Sequence, residues 1–189
     1  MNEYRLFMLL LGCRHKDRNT EQHDVFFGVA NQLCDLVPQI SAFWKGGTAL
    51  HVDAWRMVQK VQGYTVRISE HSPETKHTAP KLFFLNLGGY KPGEFEEFHY
   101  KMLAVAADKA AAIQDAKETG FFLHTGFGKA AKAHIDDRFG VDVDDIFEIK
   151  EILPRDITDR FSVIIEKNTP GTDLPEDDIH LGFFKLQEL

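Results

Sequence analysis

Two apolar runs set the organisation of the chain. Residues 5–11 (RLFMLLL) and 81–87 (KLFFLNL) are each bounded by polar positions and have the length of a buried strand. The likeness goes further than the runs. Residues 5–30 lie on 81–106 without a gap at an offset of 76, and nine of these 26 positions are identical: Leu6/Leu82, Phe7/Phe83, Leu9/Leu85, Leu11/Leu87, Gly12/Gly88, Glu21/Glu97, His23/His99, Val29/Val105 and Ala30/Ala106. Chance would supply about one or two, so the pattern reads as an internal duplication.

Behind each run comes a polar turn and then a second segment. In the later copy Phe98, Tyr100, Met102 and Ala104 alternate with His99, Lys101, Leu103 and Val105, the period of a strand. The earlier copy, 23–30, takes the same reading. Helical spacing of Phe26, Val29, Leu33, Leu36, Val37, Ile40 and Phe43 would also allow one long helix. Pro38 argues against it, because a proline in mid-helix costs about 3 kcal/mol. A helix starting at Asp35 and ending near Trp44 holds Pro38 in its first turn instead. Asp108 is the matching N-cap of an alanine-rich helix in the later copy.

Strands are then expected at 50–58 and 64–68, either side of a turn at Gln62 and Gly63. Identities resume at an offset of 83 with His51/His134, Asp53/Asp136 and Val58/Val141, and with Tyr64/Phe147 and Val66/Ile149 as conservative matches. The extra residues of the later copy then fall in the glycine-rich stretch 119–129. Two more strands are expected at 160–166 and 179–184.

Each copy therefore reads ββαβ. The expected fold is α+β, with two tandem ββαβ-type repeats packed with pseudo-twofold symmetry around a mainly antiparallel sheet core; the symmetry rests on analogy with other duplicated folds. Residues 1–70 form the first repeat, 71–80 a polar linker, 81–153 the second repeat, and 154–189 a strand-rich tail packing on the repeats. Phenylalanine pairs at 26–27, 83–84, 121–122 and 183–184 put rings on both faces of their segments, which calls for sheets covered on both sides.

The repeated frame of Leu-Phe, Leu-Gly and Glu-x-His, with YKPGEFEEFHYKM at 90–102 and HIDDRFGVDVDD at 134–145, resembles a bacterial family known as domain of unknown function 1543. The resemblance covers about residues 5–153. It implies one or two copies of such a unit and brings no activity, substrate or catalytic residue.

Composition narrows the classes. A net charge of −7 lacks the clustered Lys and Arg of a nucleic-acid surface, so no nucleic-acid partner is expected. Two cysteines, Cys13 and Cys34, give neither a disulfide framework nor a CxxC, which fits a reduced, cytoplasmic protein. Leu10–Cys13 looks like a lipoprotein cleavage box, but its apolar run is about half the usual length of a signal-peptide core. The same run recurs deep inside the chain, so it is read as a strand. No run approaches a membrane span, and the expected partner is a second copy of the chain, a homo-oligomer.

Candidate chemistry lies in duplicated His and carboxylate pairs. Glu21 and His23, and likewise Glu97 and His99, stand two apart on a strand and share a face. So do His51 with Asp53 and His134 with Asp136. Such a set suits a divalent transition metal, Zn²⁺, Fe²⁺ or Mn²⁺, or a general acid–base pair. The same pairs also read as half-buried histidines hydrogen-bonded to a neighbouring carboxylate. No catalytic residue is assigned. Neither 88–93 nor 126–129 matches a phosphate loop, and both read as turns, the second with His124 and Lys129 as the reactive groups of an alternative lid. The acidic cluster Asp136, Asp137, Asp142, Asp144 and Asp145 lacks the ligand order of a calcium loop and reads as a solvated strand face. The expected function is binding or interaction without a catalytic motif. The alternative is a metal-dependent enzyme using the Glu-x-His and His-x-Asp pairs.

Overall fold

A computed structural model of the chain describes residues 3–70, 80–90, 93–118, 141–169, 171 and 175–189. It is a mixed α+β structure whose strand pairings are antiparallel throughout the described residues. The chain divides into two units, Met1–Lys76 with Leu153–Leu189, and His77–Ile152.

The first unit is built on strand β1 (Arg5–Arg14), with β2 (Gln22–Ala30) on one side and β3 (Thr48–Met57) on the other. The strand reading of 22–30 wins over the long helix. Helical structure begins only at a 3₁₀ turn, Leu33–Leu36, and continues as α1 (Val37–Phe43) with Pro38 in its first turn. Leu36 and Ile40 bury against Phe7, Leu9, Leu11, Phe26 and Val52 on one face of the sheet. Phe26 and Phe27 are both buried although they point to opposite faces, so both faces are covered.

A short β4 (Lys60–Val61) and β5 (Tyr64–Glu70) follow. In the C-terminal part, β9 (Phe161–Lys167) pairs with β5, and β10 (His180–Lys185) pairs with β3 as the sheet's edge strand. Asp177 holds the approach to β10 in place, its Oδ2 accepting the N–H groups of Gln59 and Lys60 at 2.7 Å each.

The second unit places β6 (Lys81–Tyr90) between β7 (Glu97–Ala106) and β8 (Val141–Glu148). Helix α2 (Lys109–Glu118) packs Ala112 and Ala116 on Phe83, Leu85, Leu87 and Ala104. Its N-cap is Asp108, whose Oδ1 accepts the Ala111 N–H at 2.9 Å.

Both units share a pairing register. Arg5 faces Ala30 and Gly12 faces His23 in the first; Lys81 faces Ala106 and Gly88 faces His99 in the second. The third strand departs from the expected offset of 83. Gly12 faces His51 where Gly88 faces Asp142, and Leu11 faces Val52 where Leu87 faces Val143, a constant offset of 91 between partners. Asp144, not Asp136, thus stands where Asp53 stands. Tyr64 and Val66 lie on β5, but their sequence matches Phe147 and Ile149 do not form a separate returning strand. Instead β8 runs on to Glu148 and a one-turn helix, Ile149–Ile152, follows. Glu151 stabilises that turn by accepting the Glu148 N–H at 3.0 Å and a Lys109 hydrogen bond at 2.8 Å, and the lysine contact first of all lowers its pKa. His134, Asp136, Asp137, His124, Lys129 and the rest of 119–129 lie outside the described residues.

The two cysteines differ in a way that can be measured. Cys13 is fully buried, its thiol donating to the Thr48 carbonyl at 3.6 Å, whereas Cys34 is exposed. Burial, first of all, pushes the Cys13 thiol up, and the Glu21 carboxylate raises it further. A neutral, buried thiol is unreactive. The native protein is expected to titrate one thiol with a disulfide reagent at neutral pH, and two after unfolding. Two fast thiols in the native state would contradict this burial.

Candidate metal centre

Gly12 is the floor of the candidate site. It lies on the inner strand β1, directly opposite His23 on β2 and His51 on β3, so both imidazoles stand beside it on one face. Glu21 precedes β2 and joins that face two residues from His23. Asp53 joins it through a β-bulge: Leu10 pairs with Ala54 and Leu11 with Val52, leaving Asp53 as the extra residue. Bulges of this kind re-aim one side chain without breaking the sheet. The face is the one opposite α1, since Val52 and Phe26 on the other side belong to the helix-covered core.

The geometry is a ring of alternating imidazoles and carboxylates. His23 Nε2 lies 3.2 Å from Asp53 Oδ2 and 3.9 Å from Glu21 Oε2. His51 Nε2 lies 3.3 Å from Asp53 Oδ1 and 3.7 Å from Glu21 Oε1. All four spacings exceed the roughly 2.7–2.9 Å of a charge-assisted hydrogen bond. With two neutral imidazoles the set carries two negative charges, which suits a divalent cation.

His51 is the decisive member. Its side chain is 2% exposed, and its Nδ1 lies 2.7 Å from the Ala49 carbonyl. A carbonyl only accepts, so Nδ1 carries a proton, which leaves Nε2 as the ring nitrogen that can offer a lone pair to a metal held by the carboxylates. Nε2 is buried without a hydrogen-bond partner, as is Asp53 Oδ2. Ala49 holds this carbonyl from a left-handed conformation, φ 53°, which a non-glycine residue adopts at a cost. The Phe183 ring of β10 lies over the imidazole with centroids 4.2 Å apart. Ala49 gave no signal in the sequence, and the phenylalanine pair at 183–184 pointed to a covered sheet rather than to a site.

Space for this arrangement comes from the missing side chain at Gly12. A Cβ there would overlap His51 Nε2 and stand 2.7 Å from its Cε1 and 2.8 Å from Asp53 Oδ2. That is the physical content of the glycine at this place on the inner strand.

The second unit repeats part of the arrangement. Glu97, His99 and Asp144 each offer a ligand atom within 4.8 Å of the other two, and His99 Nε2 lies 3.3 Å from Asp144 Oδ2. Asp144 is again the bulged residue, and a Cβ on Gly88 would overlap its carboxylate. The sequence reading placed Asp144 in a solvated acidic face. Its pairing with His99 follows from the offset of 91, which the letter-by-letter match missed.

Residues 18–68 match the model of a protein family, Domain of Unknown Function (DUF1543), and this span holds Glu21, His23, His51 and Asp53. The match is to one copy of the domain, in the first unit. No curated protein matches the chain. Among solved structures, the crystal structure of a protein Il1583 from Idiomarina loihiensis is similar at 22% identity and a TM-score of 0.62, covering 97% of this chain and 98% of that one. Likeness at that identity speaks for the fold, here over nearly the whole chain.

Proposed function

We propose that the first unit binds a divalent transition metal through Glu21, His23, His51 and Asp53. The observation that carries this is the His51 Nε2 atom, buried, without a hydrogen-bond partner, and oriented from behind by Ala49 toward two carboxylates. The spacings support it. Donors at about 2.0–2.2 Å from a tetrahedral ion stand about 3.3–3.6 Å from each other. Each imidazole Nε2 lies 3.2–3.9 Å from an oxygen of both carboxylates, His23 through Asp53 Oδ2 and Glu21 Oε2, His51 through Asp53 Oδ1 and Glu21 Oε1, so each carboxylate bridges the two rings through its two oxygens. Four protein donors fill a tetrahedral shell, the habit of a structural site, whereas catalytic sites keep one position open. This favours binding over the metal-dependent enzyme. Elemental analysis of the purified chain tests the proposal: a tightly held equivalent of metal, or stoichiometric uptake of added Zn²⁺ lost in a folded His23→Ala/Asp53→Asn variant, is expected. Protein without metal and without affinity for Zn²⁺ or Mn²⁺ would sink it.

A homo-oligomer is proposed alongside, with β10 as its contact. What supports this is an edge strand whose approach and alternate positions expose Ile179, Leu181 and Phe183, at 59%, 78% and 62%. Unpaired apolar edges tend to pair with another chain. Light scattering should give a dimer or larger species that Leu181→Lys shifts to monomer; a wild-type monomer at all concentrations removes the proposal.

A further inference from the structure

We infer that Glu97, His99 and Asp144 form a second divalent-metal site that is weaker than the first and less selective for zinc. This rests on the reading that the first cluster holds a metal. The two clusters occupy the same place on their sheets: a glycine on the inner strand, a Glu-x-His pair opposite it on one neighbour, and a bulged aspartate on the other. They differ at one position. Opposite the glycine on the third strand stands His51 in the first unit and Asp142 in the second. The second site therefore has one imidazole where the first has two.

Chemistry assigns the consequences. A donor set with one imidazole beside carboxylates prefers zinc over manganese less than a set with two, because carboxylates favour harder ions. The first site also holds its fourth donor, His51, buried under Phe183. In the second, Glu97, His99 and Asp144 are all open to solvent. An exposed site is less pre-organised and exchanges its ion with water more readily. Losing one fixed donor of four from the free energy of a structural zinc site weakens binding on the order of 100-fold. The two sites would then fill in sequence as zinc rises.

Calorimetric titration of the metal-free full chain with Zn²⁺, and separately with Mn²⁺, tests the inference. Wild-type protein should show two zinc phases separated by on the order of 100-fold, with a smaller zinc-to-manganese ratio in the weaker one. The exposed double variant His99→Gln/Asp144→Asn should lose only the weaker phase. His51→Ala should lose only the stronger; if it fails to fold by circular dichroism, the exposed His23→Gln serves in its place. A single phase in wild type that the first-unit variants remove would overturn the second site and leave the first standing. A weaker phase that survives in His99→Gln/Asp144→Asn would also overturn it. No zinc binding at all would overturn the first reading and this one together.

Discussion

Zinc at about one hundred times its dissociation constant should raise the melting temperature of the wild-type chain by about 5–11 °C, and His51→Ala should abolish most of that rise. The size follows from linkage. A ligand at that excess stabilises the native state by about 2.7 kcal/mol, and a chain of this size moves about 2–4 °C per kcal/mol. Removing His51 deletes one of four donors and weakens zinc on the order of 100-fold, so the same zinc concentration leaves little gain. The metal-free comparison is equally informative. In the absence of metal His51 keeps a buried, unpaired Nε2, a group that costs about 1–3 kcal/mol when left unsatisfied. Deleting the ring relieves that cost but leaves a cavity beneath Phe183 and an unpaired Ala49 carbonyl. The two nearly cancel, so metal-free His51→Ala should melt within a few degrees of wild type. A purely structural histidine would give the opposite result: a large loss of stability regardless of zinc.

Gly12→Ala should be damaging and Gly88→Ala much less so, although the two glycines occupy equivalent positions. At Gly12 the new methyl meets His51, which is buried, covered by Phe183 and tied to Ala49. The ring cannot yield, and overpacking of this kind costs about 1–3 kcal/mol. Zinc affinity should fall too, because any shift of the ring moves Nε2 off its partners. At Gly88 the nearest atoms to the methyl belong to the carboxylate end of Asp144, a side chain open to solvent rather than packed under a ring. Thermal melts of the two variants, with and without zinc, read the difference. Equal losses would mean that the first site is no more rigid than the second.

Much of this fold was legible in the residues. The offset of 76 identified β1 with β6 and β2 with β7, and the pairing registers follow it residue for residue. Pro38 and Asp108 located the helix starts because each acts locally, one by its fixed backbone angle and the other by its side-chain acceptor. The third strand was misaligned. His51 and His134 carry the same letter, but the backbone pairs Gly88 with Asp142, so geometric equivalence and residue identity part company there. A one-residue bulge is invisible to a match of letters, yet it decides which side chain reaches the site. The Glu-x-His pairs were found because period two is a local rule. Their convergence with Asp53 and His51 over Gly12 is set by cross-strand pairing between segments almost thirty residues apart. Phe183 reaches His51 from the C-terminal strand, and the phenylalanine pair at 183–184 told only of a covered sheet and not of this contact.

X-ray absorption at the zinc edge, on protein loaded with a single equivalent, tests the central claim most directly. A shell of about four nitrogen and oxygen neighbours at about 2.0–2.2 Å, with the outer scattering of two imidazoles, is expected. In His51→Ala under the same loading, one imidazole contribution should vanish. A sulfur neighbour at about 2.3 Å would assign the ion to a cysteine instead, and a spectrum of hydrated zinc without imidazole would contradict the site altogether.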